Sequence, residues 1–279
     1  MTGRPVGPDD LTLTLDNPRA ERIKKVAALA GRSARSRAGV LLVEGPQAVR
    51  EAVRHAAARV RDVYLTEDAH ARHPEIATEA LAAGRFVHLG SPQVLDAMSA
   101  DAQGVVAVVD DAGYALDDVL ASGPRLVAVL SNVRDPGNAG TVIRAADAAG
   151  ADAIILAGQS VDPGNPKVIR STAGSIFHLP IVRSLPLEDA AVALSSAGLR
   201  LLAADGSGDA ELGSGAADAA ALASPTAWVF GNEAWGFEPE ELALADQVVR
   251  IPIYGAAESL NLATAAAVCL YASASAQRA

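Results

Sequence analysis

Short apolar runs that each lead into a helical pattern recur along this chain of 279 residues. An amphipathic helix near residues 19–30 precedes the run GVLLVEG, followed by a helix through Ala56, the run VRDVYLT, a helix over 74–83, RFVHLG, the helix SPQVLDAM and GVVAVVD. A second series follows: RLVAVLS, ADAIILAG, LPIVRS, LRLLAAD, AWVFGNE and QVVRIPI, with helical stretches between most of them. Period-2 or fully apolar runs of this length read as strands, and strands separated by helices favour an α/β fold with a parallel sheet covered on its faces. The chain is long enough for two cores. The spacing predicts an N-terminal α/β domain over 1–110, a linker over 111–124 in DDAGYALDDVLASGP, and a C-terminal α/β domain over 125–279.

In open sheets of this kind ligands sit beyond the carboxyl ends of the strands, so the informative residues are those just after each run. Three of the six runs in the C-terminal half pass directly into polar and glycine-rich segments. RLVAVLS leads to NVRDPGNAGTVIRAADAAGA, AWVF to GNEAWGF, and VVRIPI to YGAAESLNLATAAAVCLY. In the first, Asn138 is expected to cap a helix over 139–149, and Gly140 and Arg144 share a face. A helical side chain leans toward the N-terminus, so the Arg144 guanidinium could lie over Gly140 and build an anion site with the open amides of the helix start. A surface pair with Asp147 explains the same arginine equally well. In the second segment Gly231 ends a strand, where backbone can approach a ligand closely, and Glu233 could accept a bond from Arg144 or a substrate hydroxyl; a plain turn is the alternative. In the third, Ser259 and Asn261 begin a strongly apolar helix, and capping accounts for one of them.

Composition closes several other routes. The single Cys269 lies in the apolar pattern AAAVCLYASA, so it can form no intramolecular disulfide and reads as a buried structural residue. The five histidines are scattered, His70 and His73 lack any cysteine partner, and no metal site is expected. No apolar run approaches membrane-spanning length, and the opening MTGRPVGPDDLTLTL lacks the features of a secretory signal, so a soluble cytoplasmic protein is expected. No phosphate loop is present, and DGSGDA over 205–210 does not open a helix as a dinucleotide fingerprint would.

The formal net charge of -10 hides an asymmetry. From Pro18 to Arg61 there are eleven basic residues against three acidic ones, including Arg32, Arg35 and Arg37 in GRSARSR, whereas residues 111–279 carry nine basic against nineteen acidic. The basic end could meet RNA phosphates, or it could be a solvated helix face; charge alone does not separate the two.

The ordered set PGNAGTVIRAADAAGA, VFGNEAWGF and IPIYGAAESLNLATAAAVCLY resembles the three motifs of the SpoU (TrmH-like) branch of the SPOUT RNA methyltransferases, over about residues 125–275. The stretch LLVEGPQAVREAV looks like the ribosomal-protein-like substrate-binding domain that many members carry ahead of the catalytic domain. The resemblance implies methyl transfer from S-adenosylmethionine to a ribose 2′-hydroxyl, most readily of 23S rRNA, with tRNA as the alternative. It also implies a deep C-terminal trefoil knot and a homodimer with the site at the subunit interface.

Carried over position by position, Asn138, Arg144, Glu233, Ser259 and Asn261 match the family's catalytic-site positions. Gly231, Asn232, Ile251 and Leu260 match cofactor-binding ones, with Ala204 placed near the methionine end. Arg144 is then expected to bind the target phosphate and stabilise the developing alkoxide, oriented by Glu233, while Arg32, Arg35 and Arg37 contact RNA phosphates. A non-catalytic RNA-binding protein or a base methyltransferase are the competing readings; the intact polar set speaks against the first and the N-x-G-x-x-x-R element against the second.

Overall fold

A computed structural model describes residues 7–215 and 221–279. The chain divides into two compact units. One comprises the chain up to Ala112 together with Gly164–His178; the other comprises Gly113–Pro163 and Leu179–Ala279.

The first unit is built on five strands, β1 (Leu13–Leu15), β2 (Val40–Glu44), β3 (Val60–Leu65), β4 (Phe86–Gly90) and β5 (Val105–Asp110), in the order β1-β4-β3-β5-β2. β5 runs antiparallel to both β2 and β3, so this sheet is mixed and not uniformly parallel. β2 is buried along its whole length and β5 along all but its last residue, which explains their unbroken apolar sequence. Ile23 and Val26 of the Glu21–Ala28 helix and Val94, Leu95 and Met98 of the Pro92–Met98 helix pack with Leu42, Tyr64 and Val106. Each of the four expected strands is present; β1 and the helices Arg32–Ala38 and Glu67–Arg72 are additional. They are short, and β1 is largely exposed, so neither length nor periodicity marks them in the sequence.

The second unit holds seven strands, β6 (Leu126–Ser131), β7 (Ala153–Ala157), β8 (Ile181–Leu185), β9 (Arg200–Ala204), β10 (Ala210–Glu211), β11 (Thr226–Phe230) and β12 (Gln247–Arg250), in the order β10-β12-β9-β11-β6-β7-β8. Every pairing is parallel, as the alternating pattern requires. Val127, Val129, Ile155, Val182, Leu201 and Val229 form one buried layer with Leu187 and Leu194 of the Leu187–Ser196 helix. The Leu116–Ala121 helix, expected within a linker, joins this same core through Val119.

The segment Gly164–His178 lies between β7 and β8 in sequence but belongs to the first unit, which the spacing of apolar runs did not disclose. Its anchor is Arg170, in the Pro166–Ser171 helix. The guanidinium bonds the carboxylate of Glu44, which is 5% exposed, and reaches Asp101 at 2.8 Å. Ser99 Oγ donates to the other Glu44 oxygen at 2.5 Å, so the buried charge is fully paired.

Candidate active site

Because the strands are parallel, their carboxyl ends share one edge. Register places Ala204 of β9, Phe230 of β11 and Leu130 of β6 side by side, with Val249 of β12 level with Ala204. The loops that leave these four neighbouring strands converge on a cleft of about 440 Å³, within the range of small-molecule sites.

The floor of the cleft is backbone. Asn232 and Gly236 exchange two N–H to carbonyl bonds of 2.9 Å, closing the loop after β11 into a tight turn, and Gly236 takes a φ of 70°. A Cβ on Gly231 would stand 2.8 Å from the Gly236 carbonyl oxygen, so glycine is required there. Asn232 is buried, and its amide is occupied in structure: Nδ2 donates to the Asn132 carbonyl at 2.6 Å and Oδ1 accepts from Ala234 N at 2.8 Å.

A polar chain crosses the cleft and joins all three sequence segments. Asn261 caps the Leu262–Arg278 helix, its Oδ1 accepting from Ala263 N and Thr264 N. That use of the oxygen leaves the amide nitrogen facing outward, and it donates to Asn138 Oδ1 at 3.0 Å. Asn138 Nδ2 in turn donates to Glu233 Oε1 at 3.3 Å. The Glu233 carboxylate also accepts the backbone N–H groups of Arg134 and Asp135 at 3.3 and 3.2 Å. Each amide is thereby held in one orientation.

Several expectations require correction. The helix begins at Pro136, one turn earlier than expected, and its cap is Asp135, whose Oδ1 accepts from Asn138 N at 2.7 Å. Asn138 is therefore inside the first turn, with its side chain released to the cleft. Glu233 takes the N–H groups of Arg134 and Asp135, and the Asp135 side chain that of Asn138, so protein carboxylates occupy the place expected for an anion. Arg144 is exposed, does not line the cleft and makes no hydrogen bond or ion pair among the described residues; Glu233 is oriented by the 134–138 segment instead. Arg35 is buried, because its Nη1 caps the Leu29 and Ala30 carbonyls at 3.0 and 2.8 Å. It holds the end of the Glu21–Ala28 helix and is not available to RNA, whereas Arg32 and Arg37 are exposed.

Of the remaining expected positions, Asn138, Ala204, Gly231, Asn232, Glu233, Ile251, Ser259, Leu260 and Asn261 all line the cleft. Sequence reading missed Asp205, Phe237, Val249 and Glu258, which line it too. It also missed Asn132, whose left-handed φ of 56° aims its side-chain oxygen at Gln159 N and its amide at Glu241. Asn in that conformation directly after a strand was the available signal. Cys269 is buried, and burial alone pushes its thiol up to about 12.

The cleft's chemistry selects its occupant. Asp205, Glu233 and Glu258 line it and no lysine or arginine among the described residues does, while Val249, Ile251, Phe237 and Leu260 supply apolar surface. An organic cation with a flat apolar part fits; a polyphosphate does not.

Residues 125–271 match the model of the SpoU rRNA Methylase family, and residues 42–115 match that of the RNA 2'-O ribose methyltransferase substrate binding domain. This chain belongs to the SpoU rRNA methylase family. As a family member it is an RNA 2′-O-ribose methyltransferase that uses S-adenosylmethionine. It is 34% identical over 245 residues to the 23S rRNA (guanosine-2'-O-)-methyltransferase RlmB of Bordetella pertussis, covering 85% of this chain and 97% of that protein. It is 35% identical over 254 residues to the 23S rRNA (uridine(2479)-2'-O)-methyltransferase of Streptomyces viridochromogenes, covering 88% and 86%. Among solved structures, the SpoU methyltransferase AviRb of Streptomyces viridochromogenes in complex with AdoMet superposes with a TM-score of 0.78 at 32% identity, covering 93% of this chain and 99% of AviRb. The AdoMet-bound rRNA methyltransferase of Sinorhizobium meliloti superposes with a TM-score of 0.79 at 28% identity, covering 94% and 97%. No helix among the described residues of this SpoU member is long and apolar enough to cross a membrane.

Proposed function

We propose that the protein methylates a ribose 2′-hydroxyl of 23S rRNA and that the cleft beyond β9, β11 and β12 is its cofactor and reaction site. The observation that carries this reading is the Asn261–Asn138–Glu233 chain, which gathers one polar side chain from each segment around an acidic, partly apolar cleft. S-adenosylmethionine, when bound, supplies an electrophilic methyl group on a sulfonium. The glycine floor at Gly231 and the surfaces of Ile251 and Leu260 would hold its apolar part, and Ala204 with Asp205 its amino-acid end. The carboxylates of the cleft favour a cation over its neutral product.

The protein's remaining task is to place a weakly nucleophilic hydroxyl and to stabilise its oxygen as charge develops. Asn138 has a second amide hydrogen beyond the one given to Glu233, and Ser259 offers a hydroxyl at the cleft edge; both suit that oxygen. Arg144 and Arg134, exposed on the same helix and its entry, serve the phosphates flanking the target nucleotide. Arg144→Lys should lose most activity, since a planar fork is replaced by a point donor. Arg32 and Arg37 of the first unit extend the phosphate contacts.

A homodimer accords with the exposed Tyr254, Val268 and Tyr271 of the second unit, the last two one turn apart on the C-terminal helix. A C-terminal trefoil knot and a cytoplasmic location complete the proposal. Methyl transfer from labelled S-adenosylmethionine to separate rRNA and tRNA pools, followed by nucleoside analysis, tests it: a 2′-O-methylated nucleoside from 23S rRNA is expected. A labelled base, or label confined to tRNA, overturns it. A dimer mass in light scattering, lost on Tyr271→Asp, checks the assembly.

A further inference from the structure

Helix Pro46–His55 carries Glu51 and His55 four residues apart, hence on one face, and the first unit brings His178 onto the same face from 123 positions further along the chain (178 less 55). His178 Nε2 lies 3.2 Å and His55 Nε2 3.3 Å from the same Glu51 oxygen, Oε2. The two imidazole rings are 4.3 Å apart between centroids and tilted by 58°. Nothing in the methyl-transfer chemistry uses these three side chains.

Two features show that this convergence is built. Arg170 fixes the 164–178 segment by its bonds to buried Glu44 and to Asp101. Gly174, at a φ of 104°, lies against the Glu51 side chain so closely that a Cβ would collide with it. The segment can settle on the helix only because glycine stands there, and settling delivers His178 to the carboxylate.

We propose that Glu51, His55 and His178 form a binding site for a divalent transition-metal ion of the Zn²⁺ class. Two imidazole nitrogens and one carboxylate oxygen are a donor set that Zn²⁺ accepts, with a fourth position for water. Metal–ligand bonds of about 2.0–2.1 Å in tetrahedral geometry put donor atoms roughly 3.3 Å apart. The observed 3.2 and 3.3 Å separations match that edge and are long for charge-assisted hydrogen bonds. Two neutral imidazoles and one carboxylate carry a single negative charge, which the cation offsets. Arg50 and Arg54, the arginines on this helix, are held by Glu75 and by both oxygens of Glu79. The ion would clamp the Gly164–His178 segment to the helix, so its role is to stabilise the first unit.

Calorimetric titration of the tag-free full chain with Zn²⁺ tests the assignment. About one equivalent should bind saturably, and His55→Ala with His178→Ala should weaken binding by at least about tenfold. Glu51→Gln should weaken it as well. Hydrogen exchange over 164–178 should slow on adding Zn²⁺ in the wild type and not in the double variant. In chelator the double variant should melt within a few degrees of the wild type, since the two histidines are exposed. No saturable binding, or binding that persists undiminished in the double variant, overturns the proposal.

Discussion

At the scale of single residues, the cleft depends on atoms that are absent as much as on those present. Gly231→Ala would drive a methyl group into the Gly236 carbonyl, a backbone contact that cannot swing away. Overpacking of this kind costs about 1–3 kcal/mol. The expected result is S-adenosylmethionine affinity weakened by one to two orders of magnitude in calorimetry. Asn138→Ala removes a donor from the proposed reaction centre while leaving the glycine floor intact, so kcat should fall roughly hundredfold with cofactor affinity nearly unchanged. That these residues would line the cleft was legible because glycine, asparagine and glutamate gather in the segments that follow three apolar runs, even though Gly231 and Asn261 also serve the local fold. Their wiring was not. Whether Asn138 or Asp135 caps the helix turns on three residues of register, about one turn, and the side chain left over is the one the cleft receives.

At the scale of elements, three arginines in one short helix do two kinds of work. Arg35 points inward and ties off the helix before it, while Arg32 and Arg37 point outward. Arg35→Met should destabilise the first unit by about 1–3 kcal/mol in urea denaturation, because two carbonyls lose their donor. Replacing Arg32 and Arg37 together should leave stability unchanged and reduce the slope of log affinity against log salt by about 1.4–1.8. Composition could not distinguish these arginines; only the turn at Ala30–Gly31 decides which one reaches back. A second element-scale device sits at the β3–β4 edge. Asp62 bonds His88 at 2.9 Å and Arg22 at 2.6 Å. Partial burial pushes the Asp62 carboxyl upward, but these bonds outweigh it and hold the group below its ordinary range. A depressed carboxyl stabilises the fold above its unfolded value, and that contribution is lost as pH falls from the ordinary aspartate range through the lower folded value. Asp62→Asn should flatten this acid limb of the stability curve in thermal melts between about pH 5 and pH 2.

At the scale of the whole molecule, the alternation of strands and helices carried the fold class and ten of the twelve described strands, all but β1 and β10, but it hid the chain's one detour. Local pattern reports which stretches are strands, since burial on both faces leaves an apolar run. It does not report which unit a helical stretch joins, and Pro166–Ser171 gives no compositional sign that it leaves the company of its neighbours β7 and β8. Arg170→Met tests how much the detour matters: with Glu44 deprived of its guanidinium, the first unit should lose about 1–3 kcal/mol in urea denaturation.

The same detour sets a timetable. Synthesis delivers all five strands of the first sheet by Asp110, yet the piece that neutralises Glu44 is not made until Arg170, well into the second unit's strands. At ordinary elongation rates of about 5–20 residues per second, the nascent first sheet waits several seconds with Glu44 bonded by Ser99 but without its guanidinium. Its last fastening therefore belongs to the middle of translation, and no fragment that stops at residue 112 can acquire it.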